Sequence, residues 1–253
     1  MLPKTPSFSL QGKRALVTGA GRGLGVALAA ALAEAGAAVT LAARTGSEIE
    51  TAAAEIRAAG GKAETLVVDV TDTSAFRAAM EARPAFGIFV NNAGTNRPSP
   101  FLEVTEADFN AVIDLNVRAA FFAAQAVAKR MAAEGVKGSI INMSSQAGHI
   151  ALAARSAYTT SKFAVEGMTK AMATDLAPLG IRVNSLCPTF IETAMTRPAL
   201  ADPAFRTFVT TKIKLGRVGA VEDLMGACVF LASDAASLMT GSALVVDGGW
   251  TAG

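Results

Sequence analysis

Short runs of consecutive apolar residues alternate along this chain with longer stretches whose apolar positions recur every three or four residues. The runs are "RALVTG" (14–19), "AAVTLAA" (37–43), "ETLVVDV" (64–70), "GIFVNNAG" (87–94), "GSIINMSS" (138–145), "IRVNSLCP" (181–188) and "SALVVDGG" (242–249). Their nearly unbroken Val, Ile and Leu content predicts strands covered on both faces, as in a parallel sheet flanked by helices. The longer stretches predict helices over 24–35, 47–59, 72–82, 105–133, 157–177 and 221–232. This alternation predicts an α/β fold, a doubly wound parallel sheet of about seven strands with helices on both faces. Ligands are then expected beyond the carboxyl ends of the strands.

No break in composition, internal repeat or low-complexity linker divides the sequence, so residues 1–253 are read as a single domain. The longest segment that follows neither period is 188–215. A connection of this length in a compact fold is usually functional, and we read it as a lid or substrate loop. A surface excursion with one short helix is the alternative.

Composition narrows the chemistry. The net charge is +2 and the basic residues are scattered, which argues against nucleic acid or an acidic membrane surface as partner. Cys187, Cys228 and the single His149 do not have the spacing of a zinc site, so neither a metal nor a disulfide framework is expected. The opening "MLPKTPSFSLQGKR" lacks the apolar core of a signal peptide, and Glu34 interrupts the alanine-rich stretch after Gly23. A soluble, cytoplasmic protein with no membrane contact is expected.

"VTGAGRGLG" ends the first predicted strand and opens the first helix. Gly19, Gly21, Gly23 and Gly25 would let backbone amides approach an anion, with the helix amino end behind them. Leu24 stands where the standard G-x-G-x-x-G pattern has its third glycine. In its place after a buried strand, the turn still reads as a dinucleotide site. Where a chain that binds NAD carries an acid for the adenosine ribose, this one has Ala42, Ala43 and Arg44, and no acid before Glu48. Arg44 and Arg22 would face a 2′-phosphate, which predicts preference for NADP(H) with NAD(H) still possible; two simply solvated arginines are the alternative.

"SAYTTSK" (156–162) contains the only tyrosine of the chain. On a helix, Tyr158 and Lys162 share a face. A cation beside the phenol would lower its pKa and make it a proton donor and acceptor near neutrality. An amphipathic aromatic beside a solvated lysine is the simpler reading of the pair alone.

Taken together, "TGAGRGLG" at 18–25, "DV" at 69–70, "NNAG" at 91–94, "LNV" around Asn116, "SS" at 144–145, "YTTSK" at 158–162 and "DGG" at 247–249 make the whole chain resemble the short-chain dehydrogenase/reductase family. The resemblance implies a Rossmann-type fold and an NAD(P)-dependent oxidoreductase that interconverts ketones and secondary alcohols. It assigns Tyr158 as general acid and base, Ser145 as hydrogen-bond partner of the substrate oxygen and Lys162 as the residue that binds the nicotinamide ribose and lowers the phenol's pKa. Asn116 would help hold a proton-relay water. Gly19, Gly23, Leu24, Gly25, Asp69, Val70, Asn92, Ala93, Gly94, Pro188, Ile191 and Thr193 would line the cofactor. One departure stands out: the family's Pro-Gly after the sixth strand is Pro188-Thr189 here. Threonine is strained at positive φ, so either the turn differs or it never required glycine.

Substrate choice would rest on Asn96, Arg97, Gln146, His149, Arg155 and the 188–215 segment. By resemblance to some family members acting on hydroxy acids, Arg155 is placed to clamp a carboxylate; a surface arginine that caps or salt-bridges nearby is the simpler reading. A carbonyl reductase acting on a small keto acid, sugar or polyol is the leading reading. A 3-oxoacyl carrier-protein reductase, docking its carrier on Lys212, Lys214 and Arg217, is the alternative. A non-catalytic dinucleotide sensor is the third. The family further implies a homotetramer built on the two long helices and the last strand.

Overall fold

In the computed structural model, which describes residues 2–253, seven strands form one parallel sheet. They are β1 (Arg14–Thr18), β2 (Ala38–Ala43), β3 (Lys62–Val67), β4 (Ile88–Asn91), β5 (Ser139–Met143), β6 (Arg182–Pro188) and β7 (Ala243–Val246), in the order β3-β2-β1-β4-β5-β6-β7. The chain winds from β1 outward to β3 and then returns to β4 on the other side of β1. The connections beyond β1 and β4 therefore diverge, leaving a crevice at their carboxyl ends.

Two apolar layers hold helices to the sheet. On one face Leu28 and Leu32 of α1 (Leu24–Glu34), Ile49 and Ile56 of α2 (Gly46–Ala58), and Leu224 and Leu231 of α9 (Glu222–Ala232) pack with Val17, Leu41 and Ile141. On the other, Phe76 and Met80 of α3 (Thr73–Glu81), Val127 and Met131 of α5 (Ala120–Ala133) and Ala173 of α6 (Ser156–Leu176) pack with Phe89 and Ile140. Full burial of each large side chain contributes about 1.5–3 kcal/mol. The central strands are buried on both faces as their composition predicts, whereas the edge strands β3 and β7 keep exposed positions.

Three elements differ from the sequence expectation. Strand β3 ends at Val67, opposite Ala43 where β2 ends, so Asp69 and Val70 lie in the loop beyond it rather than in the strand. The predicted helix 105–133 is α4 (Glu106–Ile113) and α5 joined through a π-helical turn, Asp114–Ala119. The run Glu106–Ala133 is long and apolar enough to cross a bilayer, but half of its most apolar stretch is buried, and its elements contact β4, α3 and α6.

The 188–215 segment carries two helices rather than one, α7 (Arg197–Leu200) and α8 (Pro203–Lys212). Leu200, Val209 and Ile213 pack with Trp250, Phe190 and Phe205 in a cluster of their own, which also takes in Ile150 and Leu152 from the loop after β5. The "DGG" motif delivers Trp250 to this cluster. Asp247 accepts from the amides of Gly249 and Thr251 at 2.9 and 2.7 Å, while Gly248 and Gly249 turn the chain at φ of 61° and 84°.

Candidate active site

The glycine turn between β1 and α1 is shaped by contacts that leave no room for side chains. A Cβ on Gly25 would stand 2.3 Å from the Gly19 carbonyl oxygen, and Gly19 and Gly23 hold φ of 64° and 57°. The "NNAG" loop after β4 is fastened to this turn. Asn92 donates to the carbonyls of Thr18 (2.9 Å) and Gly19 (3.3 Å), and Thr18 Oγ1 accepts from the amides of Asn92 and Ala93. Asn92 is thus a brace whose amide faces inward. Opposite, Thr193 Cβ lies 3.6 Å from where a Gly23 Cβ would be, so the segment after β6 reaches over the turn. Ile191 points the other way, into the main core beside Gly219, and cannot offer its side chain to a cofactor.

Arg22 and Arg44 are both exposed at the mouth of the turn. Arg44 lies 3.8 Å from Asp69. Burial works against ionisation of that carboxyl, but hydrogen bonds from Thr71 and the nearby Arg44 outweigh it and hold the pKa below its usual value. Glu48 sits against the turn as well, its carboxylate 2.6 Å from the position of a Gly21 Cβ. The free amides of a glycine turn opening α1, with two guanidinium groups at its rim, fit a dinucleotide phosphate.

Ser145, Tyr158 and Lys162 converge on the other side of the crevice. Ser145 caps the 3-10 turn Gln146–Gly148, accepting from Ala147 N at 3.1 Å, and its hydroxyl lies near enough to the Tyr158 phenol to offset part of the rise in the phenol's pKa. Lys162 is buried and donates to Met143 O at 2.8 Å, with Nζ 5.4 Å from the centre of the Tyr158 ring. The lysine does not lower the phenol's pKa as the sequence pairing suggests. Burial raises it above 10, against the partial offsets of the Ser145 hydrogen bond and the Arg155 charge. Lys162 itself is brought down by burial to about 8. The raised pKa keeps the phenol protonated, and two cations lie near it, the Lys162 ammonium over the ring and the Arg155 guanidinium.

Asn116 lies in the π-helical turn, a distortion that recurs at functional sites because the extra residue redirects side chains. Its Nδ2 donates to Thr95 O (2.9 Å) and Ser161 Oγ (3.1 Å), and its Oδ1 accepts from Thr95 N (2.8 Å). The side chain clamps the "NNAG" loop to α6 and has no free N–H left for a relay water. Ser161, Thr95 and the Met143 carbonyl were not visible as site components in the sequence. Only Ser161, three places after the tyrosine, gave a local signal, and its hydroxyl returns to Tyr158 O at 2.7 Å.

Around this centre, buried polar atoms lack partners. They belong to Asn96, Ser144, Gln146, Thr159 and Thr189, all adjoining the motifs just described, with Arg130 the exception among the described residues. Gln146 is 1% exposed and both of its amide atoms are unpaired. Arg155 is half-buried, has no acidic partner within 4 Å among the described residues, and follows Ala154, the one non-glycine residue there with positive φ (53°). Thr189 is not in the left-handed region, so this turn never required glycine. His149 turns its Nε2 toward Cys187 (3.4 Å) and Glu166 (3.9 Å), which removes that nitrogen from substrate recognition.

A phosphate-binding turn at the switch point of a doubly wound sheet, facing a serine and a neutral tyrosine with a buried lysine, is the arrangement of a nucleotide-dependent oxidoreductase. The chain belongs to the short-chain dehydrogenase/reductase family of NAD(P)-dependent enzymes. The family model described as enoyl-(acyl carrier protein) reductase matches residues 19–251. D-erythrulose reductase of Gallus gallus is 40% identical over 97% of this chain and 98% of its own length. Gluconate 5-dehydrogenase of Gluconobacter oxydans is 42% identical over 96% of each chain. Among solved structures, a gluconate 5-dehydrogenase from Burkholderia cenocepacia in complex with NADP and tartrate superposes with a TM-score of 0.94, at 41% identity, covering 97% of this chain and 98% of that one.

Proposed function

We propose that the protein interconverts a small polyhydroxylated ketone and its secondary alcohol with NADP(H), using Tyr158 as proton donor and acceptor and Ser145 to hold the reacting oxygen. The bound nicotinamide supplies or takes up the hydride. Lys162 and the backbone around Pro188 and Thr193 would hold its ribose and carboxamide, with Ala93 and Gly94 beside them. The ketose and sugar-acid relatives support the substrate class, and Gln146, next to Ser145 in sequence, is the side chain on this chain that fits it. A buried amide left unpaired costs about 1–3 kcal/mol per group, and a hydroxyl can donate to its oxygen and accept from its nitrogen. An unsubstituted ketone can do neither beyond its one reacting oxygen.

Arg155 extends this reading to substrates with a terminal carboxylate, because a half-buried guanidinium without an acid is a ready partner for one. The test uses a keto-aldonate, the neutral ketose of the same length and a simple aliphatic ketone. Gln146→Leu is expected to raise KM about tenfold for both hydroxylated substrates and to spare the aliphatic ketone, since the lost bonds are worth about 1–1.5 kcal/mol. Arg155→Ala is expected to raise KM for the keto-aldonate alone. If Gln146→Leu leaves KM for every substrate unchanged, the polyhydroxy reading is wrong. The carrier-protein alternative is weakened at one point: Arg217 is already paired with Asp223 at 2.6 and 2.8 Å, leaving exposed Lys212 and Lys214.

For the cofactor, Arg44→Ala is expected to weaken NADPH about 10–100-fold, the worth of a charged hydrogen bond, and NADH little. Glu48, close to the same turn, supports the second reading, in which a carboxylate meets ribose hydroxyls. If Arg44→Ala affects both cofactors equally, measured as Kd by fluorescence titration, that reading gains and the phosphate role of Arg44 fails.

The assembly that fits is a homotetramer. Phe121 and Phe122 on α5 and Phe163 on α6 are each more than 40% exposed on neighbouring helices, and β7 leaves one edge of the sheet open. Aromatic patches of this kind and unpaired strand edges are usually covered by subunit contacts. A cytoplasmic setting accords with the two free cysteines.

A further inference from the structure

His149, Glu166 and Cys187 are far apart in the chain, on the loop after β5, on α6 and on β6. The fold brings one donor atom from each within 4.8 Å of the others. His149 Nε2 is 3.4 Å from Cys187 Sγ, Cys187 Sγ is 3.3 Å from Glu166 Oε1, and His149 Nε2 is 3.9 Å from the same oxygen. Zinc bonds of about 2.3 Å to sulfur and about 2.0–2.1 Å to nitrogen or oxygen put tetrahedral donors roughly 3.3–3.6 Å apart. Two of the three separations already match, and the third closes with a small side-chain movement.

The surroundings suit an ion. Ser185 Oγ donates to the second carboxylate oxygen of Glu166 at 2.9 Å, the kind of outer bond that orients a ligand. Glu166 and Cys187 are 8% and 0% exposed, while the His149 side chain keeps 31% exposure and so provides the entry path. A thiolate, a carboxylate and a neutral imidazole around a divalent cation sum to zero charge, which a buried pocket tolerates better than any unpaired ion.

We propose that His149, Glu166 and Cys187 bind one Zn2+ ion, with the fourth position open to water, and that filling this site slows the enzyme. Binding exchanges the Cys187 S–H bond for a sulfur–zinc bond, the proton leaves to solvent, and no electron is transferred. Slowing follows from position. Glu166 is one helical turn beyond Lys162, His149 is four residues after Ser145, and the intervening Gly148 is packed so tightly that a Cβ on it would stand 3.1 Å from Lys162 O and 2.9 Å from Ser144 Oγ. An ion that draws the three ligands together therefore pulls on the segments that carry both catalytic groups and adds positive charge beside a buried ammonium.

The test is titration of chelator-treated, tag-free protein with Co2+ and Zn2+. Expected are one equivalent bound per chain, a sulfur-to-cobalt charge-transfer band with tetrahedral visible absorption, release of one proton, and inhibition by Zn2+ that a chelator reverses. Cys187→Ser and the solvent-accessible His149→Ala should each abolish the band and weaken binding more than tenfold, while Cys228→Ser leaves it intact. A spectrum of hydrated octahedral cobalt only, or a band unchanged in His149→Ala, would overturn the site. Stoichiometric binding with full activity would overturn its inhibitory role.

Discussion

Tyr158→Phe is expected to lower kcat/KM for ketone reduction on the order of 10³-fold while leaving NADPH affinity nearly unchanged, because the substitution removes one hydroxyl and keeps the ring. General acid catalysis by a positioned side chain is worth about 10²–10⁴-fold. The upper part of that range applies because the other acidic proton nearby, on the Lys162 ammonium, is committed to Met143 O at 2.8 Å rather than aimed at the reacting oxygen. Ser145 Oγ is already an acceptor for Ala147 N and can support the oxygen with a hydrogen bond, but a serine hydroxyl is too weak an acid to protonate it. Arg155 keeps its protons in proteins. Burial above pKa 10 keeps the Tyr158 proton in place through the physiological range, so the donor form is the populated one. In the oxidative direction the same phenol must first be ionised, and the oxidative rate should climb as pH rises toward the phenol's raised pKa. Parallel assays of wild type and Tyr158→Phe, with cofactor binding followed by fluorescence, decide the matter. Retention of more than a tenth of the reductive activity would mean that another group delivers the proton.

The fold was largely legible because it depends on patterns that survive in one dimension. Buried parallel strands must be apolar on both faces, so their runs announce themselves, whereas the edge strand β3 begins at the polar Lys62, before its apolar run, and stops at Val67 where its partner β2 ends. The π-helical turn left no such mark, since one extra residue in a helical ladder changes neither composition nor period. Two helices in the 188–215 segment escaped because each is short and amphipathic only against Trp250, a residue contributed from the far end of the chain.

For the site, what the motifs carried was identity, and what they could not carry was connection. Asn92 and Asn116 lie in the expected loops, yet their amides turn out to fasten backbone to backbone, a fact fixed by Thr18 and Thr95 rather than by the asparagines themselves. Sequence spacing made Lys162 the cation for the phenol. The third dimension also ties its ammonium to Met143 O, 5.4 Å from the centre of the Tyr158 ring, and adds Arg155 as a second cation near the phenol. His149, Glu166 and Cys187 could not be grouped at all, because metal-site spacing rules see only ligands that are close along the chain.

The altered position of Lys162 leads to the second large effect, a descending limb in the reductive pH profile that belongs to the lysine and not to the tyrosine. Burial brings Lys162 to about 8, with the Glu166 carboxylate helping to keep it charged; Cys187, pushed up to about 12, remains a neutral thiol there. Reduction uses the ammonium form, whose hydrogen bonds are worth about 1.5–3 kcal/mol, or roughly 10–100-fold in rate. As pH rises through about 8 that contribution is lost, whereas the Tyr158 proton persists beyond 10, so kcat/KM should fall through a single ionisation near 8. Lys162→Met should start at the lowered level, about 10–100-fold below wild type, and show no such limb. Lys162→Arg is the sharper variant, because a guanidinium stays charged throughout the range. Its rate at pH 7 will be reduced by the poorer fit against Met143 O, but the limb should move beyond pH 10 to the tyrosine's own ionisation. A limb that stays near 8 in Lys162→Arg would assign that ionisation to another group and remove the lysine's charge from the rate.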